Sequence, residues 1–447
     1  MDRRNAEEKQ GREKKGLTEK GLEAAEALLT QIADSTSPFM AVEYVKRELT
    51  AAGFRSLALN EEWQLRAGGR YFVPAYDRTL FAFTVGEETG TRTRLRIAAA
   101  HTDFPCFKIK PLPEITALGC RKLNVEPYGG MIRSTWMDRP LSISGKAALR
   151  TDDPFAPKSV LVDFRRPVCT IPNLAIHMNR KVNDGVSLDP QKDLLPLADL
   201  SDGETTESFF LQEMAGEIGC APEDILEYEM FLYQWEAGTL AGFGNTLLSS
   251  PRLDNITSLR ACVQGLLQGK RREGLNLIAL FDNEEVGSHS KQGAASALLP
   301  FVLERIYQAF GSSREQLLTD LPDGFFLSLD VAHAAHPNVP EKADIVNRPV
   351  LGGGVTLKLS ASQSYANDCE AAAAVQSLCE RAGIPYQRFV NRSDMRGGGT
   401  LGSIASAGLP MRTMDAGISI LAMHSARELM AARDQLALER LVQALFS

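Results

Sequence analysis

The sequence predicts an α/β fold with a mixed, largely parallel sheet flanked by helices, interrupted by a smaller β-rich unit. Three observations carry that expectation. After Gly244, continuous apolar runs (Leu275–Phe281, Phe325–Leu329 and Ile418–Met423) alternate with amphipathic helical patterns, as strands buried on both faces of a parallel sheet require. Between residues 111 and 240 the texture changes to short alternating segments punctuated by Gly129-Gly130 and Pro167. At 447 residues the chain also exceeds what one ordinary core supports. The expected division is therefore a discontinuous unit, 1–110 and 241–447, with 111–240 inserted.

In chain order, Thr18 to about Ile32 reads as a helix, and Ser37-Pro38 supplies the N-cap and first position of a second helix, spaced by Met40, Val42, Val45 and Leu49 and ending near Gly53. Tyr71–Val85 reads as strands, and Arg94–Ala100 as a strand that delivers His101. Within the inserted stretch, Ser134–Ser144 and Ser159–Phe164 read as strands and 204–218 as a helix. Leu253-Asp254 opens a helix carrying Ile256, Leu259, Val263 and Leu266 on one side, and a C-terminal helix follows His424.

Composition excludes several classes. A formal net charge of −7 and a pI near 5.6 argue against nucleic-acid binding. The densely charged start has no apolar core and does not read as a secretory signal, and no apolar run approaches the roughly 18 residues that span a bilayer. The seven cysteines include no C-x-x-C pair, so free thiols in a reducing, cytoplasmic setting are expected. Any metal must then be held by imidazole and carboxylate.

The chemistry-bearing residues fall where such a sheet builds sites. His101, Asp103, Glu284, Glu285 and Asp330 all stand just after apolar runs, and the crevice beyond the carboxyl ends of strands is where open α/β sheets bind ligands. In His101-Thr102-Asp103 the aspartate is placed to take the imidazole's second N–H, although a strand-end turn also explains the pair. Adjacent Glu284 and Glu285 would repel one another after a buried strand unless a cation is near, or unless the turn is solvated. Asp254 doubles as a helix cap and His424 is ambiguous alone. Asp330 precedes His333 and His336, which one helical turn would place on one face; His333 reads as structural. Four of six histidines stand with four acids in such positions, roughly the supply that two divalent ions with a bridging carboxylate need. Gly352–Gly354 and Gly397–Gly399 lack the context of a phosphate loop and read as turns. No role is legible for His289.

Several segments carry a family resemblance. His101-Thr102-Asp103-Phe104-Pro105, Ser250-Pro251-Arg252-Leu253-Asp254-Asn255 and Asp282-Asn283-Glu284-Glu285-Val286-Gly287-Ser288 resemble signatures of the aspartyl aminopeptidase family. So do the Asp330–Pro337 run, Met423-His424-Ser425 and, in the insert, Ile171–Arg180. The resemblance runs in unbroken order from about Ser37 to His424, and Asp394–Thr400 is similar to the bacterial branch rather than the eukaryotic one.

It implies a zinc-peptidase-like catalytic domain with an inserted dimerisation domain, hydrolysing the N-terminal residue of peptides. It also implies two divalent ions, zinc, with cobalt or manganese as alternatives. Asp254 would bridge them, His101 and Asp330 complete one site, and Glu285 and His424 the other. Glu284 would be the general base and Asp103 the carboxylate behind His101. His336 and His177, the latter reaching a neighbouring subunit, would meet the substrate, and Lys358 would meet an acidic side chain. The implied assembly is a tetrahedral dodecamer built from dimers. Acidic or neutral N-terminal preference stays open, and another dinuclear amidohydrolase, a carboxypeptidase or deacylase, is the alternative.

Overall fold

Every residue of the strand Leu275–Phe281 is buried. The reason is its place in the centre of a thirteen-stranded mixed sheet, where it pairs in parallel with Leu95–His101 and antiparallel with Thr79–Val85. Leu95–His101 pairs in turn with Phe325–Leu329, and that strand with Arg412–Leu421, all in parallel. Alternate side chains enter different cores, as a period of two dictates. Leu277, Ala279 and Phe281 join one buried cluster, while Ile278 and Leu280 join another. The computed structural model describes residues 18–87, 95–185, 187–201 and 208–447.

Helices cover both faces. Glu19–Asp34, Leu253–Gln268 and Ala432–Leu445 pack together on one, and Leu298–Ala309 lies on the other. The first helix is capped by Thr18, and Ser37 caps Pro38–Ala51, its hydroxyl accepting the Met40 N–H at 3.4 Å. A second sheet, six-stranded and antiparallel throughout, is built from strands between Cys106 and Gln234. It shares a core with the larger sheet, because Phe107, Trp136 and Phe231 belong to the same cluster as Phe39, Val42 and Leu253.

Four local expectations need correction. Arg133–Trp136 is a 3-10 turn and the strand begins only at Leu141, after Pro140, which has no N–H to give a ladder. The helix expected over 204–218 spans Phe209–Ile218, and 204–207 lie outside the described residues. A strand, Glu428–Ala431, separates His424 from the last helix. Finally, His333 and His336 do not share a helical turn: Ala332–His333 is a short strand paired with Arg412–Leu421, and Pro337 disfavours a helical His336.

Candidate metal centre

Three of the parallel strands end at one rim, and each delivers a polar residue there. His101 closes its strand, Asp330 follows Leu329, and the turn Glu284–Val286 follows Phe281 by two residues. Asp254 arrives from the first turn of Leu253–Gln268, where its backbone is not helical, and His424 from just past Leu421.

The imidazoles converge on Asp254. His101 Nε2 lies 3.4 Å from Asp254 Oδ1 and 3.6 Å from Asp330 Oδ1. His424 Nε2 lies 3.2 Å from Asp254 Oδ2 and 3.6 Å from Glu285 Oε2. Each carboxylate oxygen of Asp254 thus faces one histidine. On the far side of each ring a backbone carbonyl waits: His101 Nδ1 is 3.0 Å from Asp103 O, and His424 Nδ1 is 2.7 Å from Gly130 O. A carbonyl only accepts, so each Nδ1 carries a proton, and each Nε2 is the nitrogen that faces the cluster.

Asp103 acts more widely than a partner for His101. Its carboxylate accepts the N–H of Glu284 at 3.1 Å and of Glu285 at 3.2 Å, and the Tyr128 hydroxyl at 2.7 Å. Glu428, which no sequence pattern singled out, does the same opposite: it accepts the N–H of Asp254 at 3.0 Å and of His424 at 2.8 Å. A glutamate only 2 % exposed is rare unless its acceptors are filled, and here both are. Tyr128 and Gly130 were likewise missed. The signal for Glu428 was a lone acid leading the short apolar run Leu429-Met430-Ala431.

The electrostatics of this cluster call for positive charge. Burial pushes Glu284 up to about 8, with Asp330, Asp103 and Asp254 adding to the rise against His101. Burial and Asp254 push Glu285 well above the ordinary range. Burial opposes the imidazolium of His424, yet Asp254 and Glu285 outweigh it and raise that group to about 10. His101 is raised well above its usual value despite burial, through Asp103, Asp254 and Asp330. Glu284 and Glu285 are thus pushed towards the protonated form, while Asp254 and Asp330 are lowered, despite burial, by His101, His424 and Lys358. Asp254 Oδ1 has no hydrogen-bond donor, and the donor atoms of His101, Asp254 and Asp330, and of Asp254, Glu285 and His424, lie within 4.8 Å of one another. Imidazole nitrogen and carboxylate oxygen in this ratio fit zinc-type divalent cations.

These groups line a cavity of about 320 Å³ with Lys358, His333, Tyr365 and Phe389. Lys358 Nζ donates to Asp330 Oδ2 at 3.1 Å and to Val331 O at 2.9 Å. His336 is exposed, its Nδ1 accepting the Asn338 N–H, and it does not line the cavity, whereas His333 does. His177 lies exposed in the inserted stretch and is not brought to this cavity by its own chain. Of the glycine runs, Gly398 and Gly399 line the cavity, while the Gly352 and Gly354 N–H groups donate to Asp434.

The profile of the family described as aminopeptidase I zinc metalloprotease (M18) matches residues 31–446. A probable M18 family aminopeptidase 2 of Clostridium acetobutylicum is 43% identical over 421 residues, covering 94% of this chain and 97% of that protein. Its counterpart in Pseudomonas aeruginosa strain UCBPP-PA14 is 36% identical over 431 residues, covering 95% and 98%. The solved mApe1 dodecamer of S. cerevisiae superposes with a TM-score of 0.82 at 26% identity, covering 94% of this chain and 96% of that one. Likeness of this extent, over a cluster that already asks for divalent cations, has one meaning: the chain belongs to the aminopeptidase I zinc metalloprotease (M18) family and is a metallo-aminopeptidase.

Proposed function

We propose that this chain removes single residues from peptide N-termini, using two divalent ions that share Asp254, with Glu284 as general base. The observation that carries the reading is the split of the Asp254 carboxylate between His101 and His424, with Glu284 lining the same cavity. Asp330 completes the His101 side and Glu285 the His424 side. Ions held by these residues would supply Lewis acidity and lower the pKa of a bound water towards neutrality. Glu284 takes the proton of the attacking water and hands it to the leaving amine. Asp103 holds the Glu284 and Glu285 backbone, so base and ligand keep their spacing through proton transfer. Of the two nearby histidines, His333 is the one on the cavity wall, so the substrate contact expected of His336 passes to His333 in this reading.

The free α-amine separates this from a carboxypeptidase or deacylase. The zinc-loaded chain should release the first residue of a free tetrapeptide and leave the N-acetylated form intact. Equal cleavage of both would remove the aminopeptidase reading.

We also assign 1–110 and 241–447 to a discontinuous catalytic domain and the inserted stretch to subunit contact. Its separate antiparallel sheet supports this, as does the exposure of Leu174, Ile176 and Met178 around His177. A tetrahedral dodecamer, in which His177 approaches a neighbour's cavity, is the assembly we infer. Sedimentation of the intact chain as a monomer at micromolar concentration would remove it. All seven cysteines are free, which agrees with a cytoplasmic setting, and among the described residues no helix is long and apolar enough to cross a membrane.

A further inference from the structure

Arg78 lies in the turn between the strands Arg70–Ala75 and Thr79–Val85, yet it is only 5 % exposed. The six-stranded sheet packs over that turn with matching charge. Two of its neighbouring strands, Leu141–Leu149 and Ile225–Gln234, place Lys146 directly opposite Glu229. Asp77 and Arg78 meet them with the signs reversed: Lys146 Nζ lies 3.4 Å from Asp77 Oδ2, and Arg78 Nη1 lies 3.0 Å from Glu229 Oε2. The Arg78 guanidinium carbon is also 5.1 Å from the centre of the Phe39 ring and 5.3 Å from that of Phe231, so two aromatic rings fix its direction.

The other edge of the guanidinium reaches the segment that carries Glu284. Its Nε lies 2.7 Å from Asp282 Oδ2, and its Nη2 donates to Asp282 Oδ1 at 3.0 Å. Asp282 is fully buried. The backbone around Arg78 holds the same region, since its carbonyl accepts the hydroxyl of Thr102, the residue between His101 and Asp103, at 2.7 Å. Thr79 Oγ1 accepts the Asp282 N–H at 3.1 Å and donates to the Gln292 carbonyl at 2.7 Å. Both ends of the segment 282–292 are thus tied to Arg78 and Thr79, with Glu284 between them. A buried ion pair adds little net stability, but removing one partner leaves the other uncompensated, so its effect is on placement. A planar fork with donors for two carboxylates is what arginine offers and lysine does not.

We propose that Arg78 is a positioning residue for the general base: it holds Asp282, two residues before Glu284, and ties that turn to the six-stranded sheet through Glu229 and Phe231. This rests on the reading of Glu284 as the base of an aminopeptidase. The inserted stretch thereby contributes to turnover besides the subunit contact assigned to it above.

The full-length zinc-loaded protein and its Arg78→Met, Arg78→Lys and Glu229→Gln variants are compared by steady-state rates on a free tetrapeptide and by amide hydrogen exchange of peptides spanning 281–293. Arg78→Met should lose about 10- to 100-fold in kcat, as small misplacements of a reacting group do, with KM within about threefold of wild type. Arg78→Lys, which keeps a charge but cannot serve both carboxylates, should fall between the two. Glu229→Gln should lose about two- to fivefold in kcat, because that arm is half-exposed. Exchange over 281–293 should quicken about 10-fold in Arg78→Met while the last helix, Ala432–Leu445, keeps its wild-type rates. Quickening spread evenly over the chain with kcat unchanged would reduce Arg78 to a structural ion pair and overturn the proposal. Wild-type exchange over 281–293 in a folded Arg78→Met would do the same, whatever the activity. If the wild type cleaves no free-amine peptide, the aminopeptidase reading fails, and local exchange still decides whether Arg78 holds the turn. Should Arg78→Met not fold, Glu229→Gln carries the test: wild-type kcat together with wild-type exchange there would refute the tie to the six-stranded sheet.

Discussion

Asp103 holds Glu284 by its backbone, its Oδ1 accepting the Glu284 N–H at 3.1 Å while its Oδ2 accepts that of Glu285 at 3.2 Å. Two segments 181 residues apart in the chain are thereby locked in register at the rim of the sheet. The Tyr128 hydroxyl, from the second sheet, closes the arrangement by donating to the same carboxylate. In the mechanism proposed above, the base is thus positioned by a carboxylate that touches its backbone.

Asp103→Ala should leave the Glu284 and Glu285 N–H groups without their acceptor behind a half-buried turn. An orphaned buried donor costs roughly 1–3 kcal/mol, so the variant should melt several degrees lower. Its kcat should fall about 10- to 100-fold, with a smaller loss of zinc. Calorimetry, metal analysis and steady-state rates on the same sample decide it; wild-type kcat would show that the bracing is irrelevant to turnover.

Glu284→Gln and Asp254→Ala should separate base from ligand. The first should keep its zinc and lose about 10²- to 10⁴-fold in kcat. The second removes a carboxylate shared by two imidazoles, so metal content by mass spectrometry should drop well below the wild-type ratio. Full metal occupancy in Asp254→Ala would contradict the sharing of that residue.

Glu428→Ala tests the second brace. Its carboxylate accepts the N–H groups of Asp254 and His424, so its loss should loosen both at once. Zinc affinity about 10- to 100-fold weaker is expected, with Glu428→Gln intermediate because one amide oxygen replaces two acceptors. Unaltered zinc affinity in Glu428→Ala would reduce the residue to a packing role.

Asp434 gives a pH signature away from the metals. Burial pushes its carboxyl up to about 6 from 3.8, against the pull of the Gly352 and Gly354 N–H groups and Arg433. With the folded pKa above the unfolded one, the folded state holds the extra proton between these values. The stability this contributes is complete below about pH 3.8 and gone once pH passes about 6. Two pKa units correspond to roughly 3 kcal/mol. In chelator-treated protein, wild-type stability relative to Asp434→Asn should fall as pH rises from 4 to 6.5 and then level off. A flat difference across that window would mean that the carboxyl titrates normally.

The strands that carry the site were legible because burial on both faces leaves an unbroken apolar run, as in Leu275–Phe281, and a polar residue ending such a run is conspicuous. His101, the Glu284-Glu285 pair and Asp330 were visible in that way. Glu428, Tyr128 and Gly130 were not. Glu428 acts on distant backbone N–H groups and Gly130 through its own carbonyl, neither of which leaves a mark on residue type, and Tyr128 reaches the Asp103 carboxylate from the second sheet. The pairing of His333 and His336 failed for the opposite reason, since spacing of three suggested a helix that Pro337 and pairing with Arg412–Leu421 exclude.

What the sequence by itself determined is the alternation of buried strands and helices and the supply of imidazoles and carboxylates at strand ends, because both follow from local composition and periodicity. Tertiary structure alone decided which oxygen of Asp254 faces which histidine, that Lys358 donates to Asp330 and Val331, and that Asp103 and Glu428 hold the acid–histidine cluster by its backbone. Those are choices of direction within a few ångströms, set by how distant segments pack, and no one-dimensional pattern encodes them.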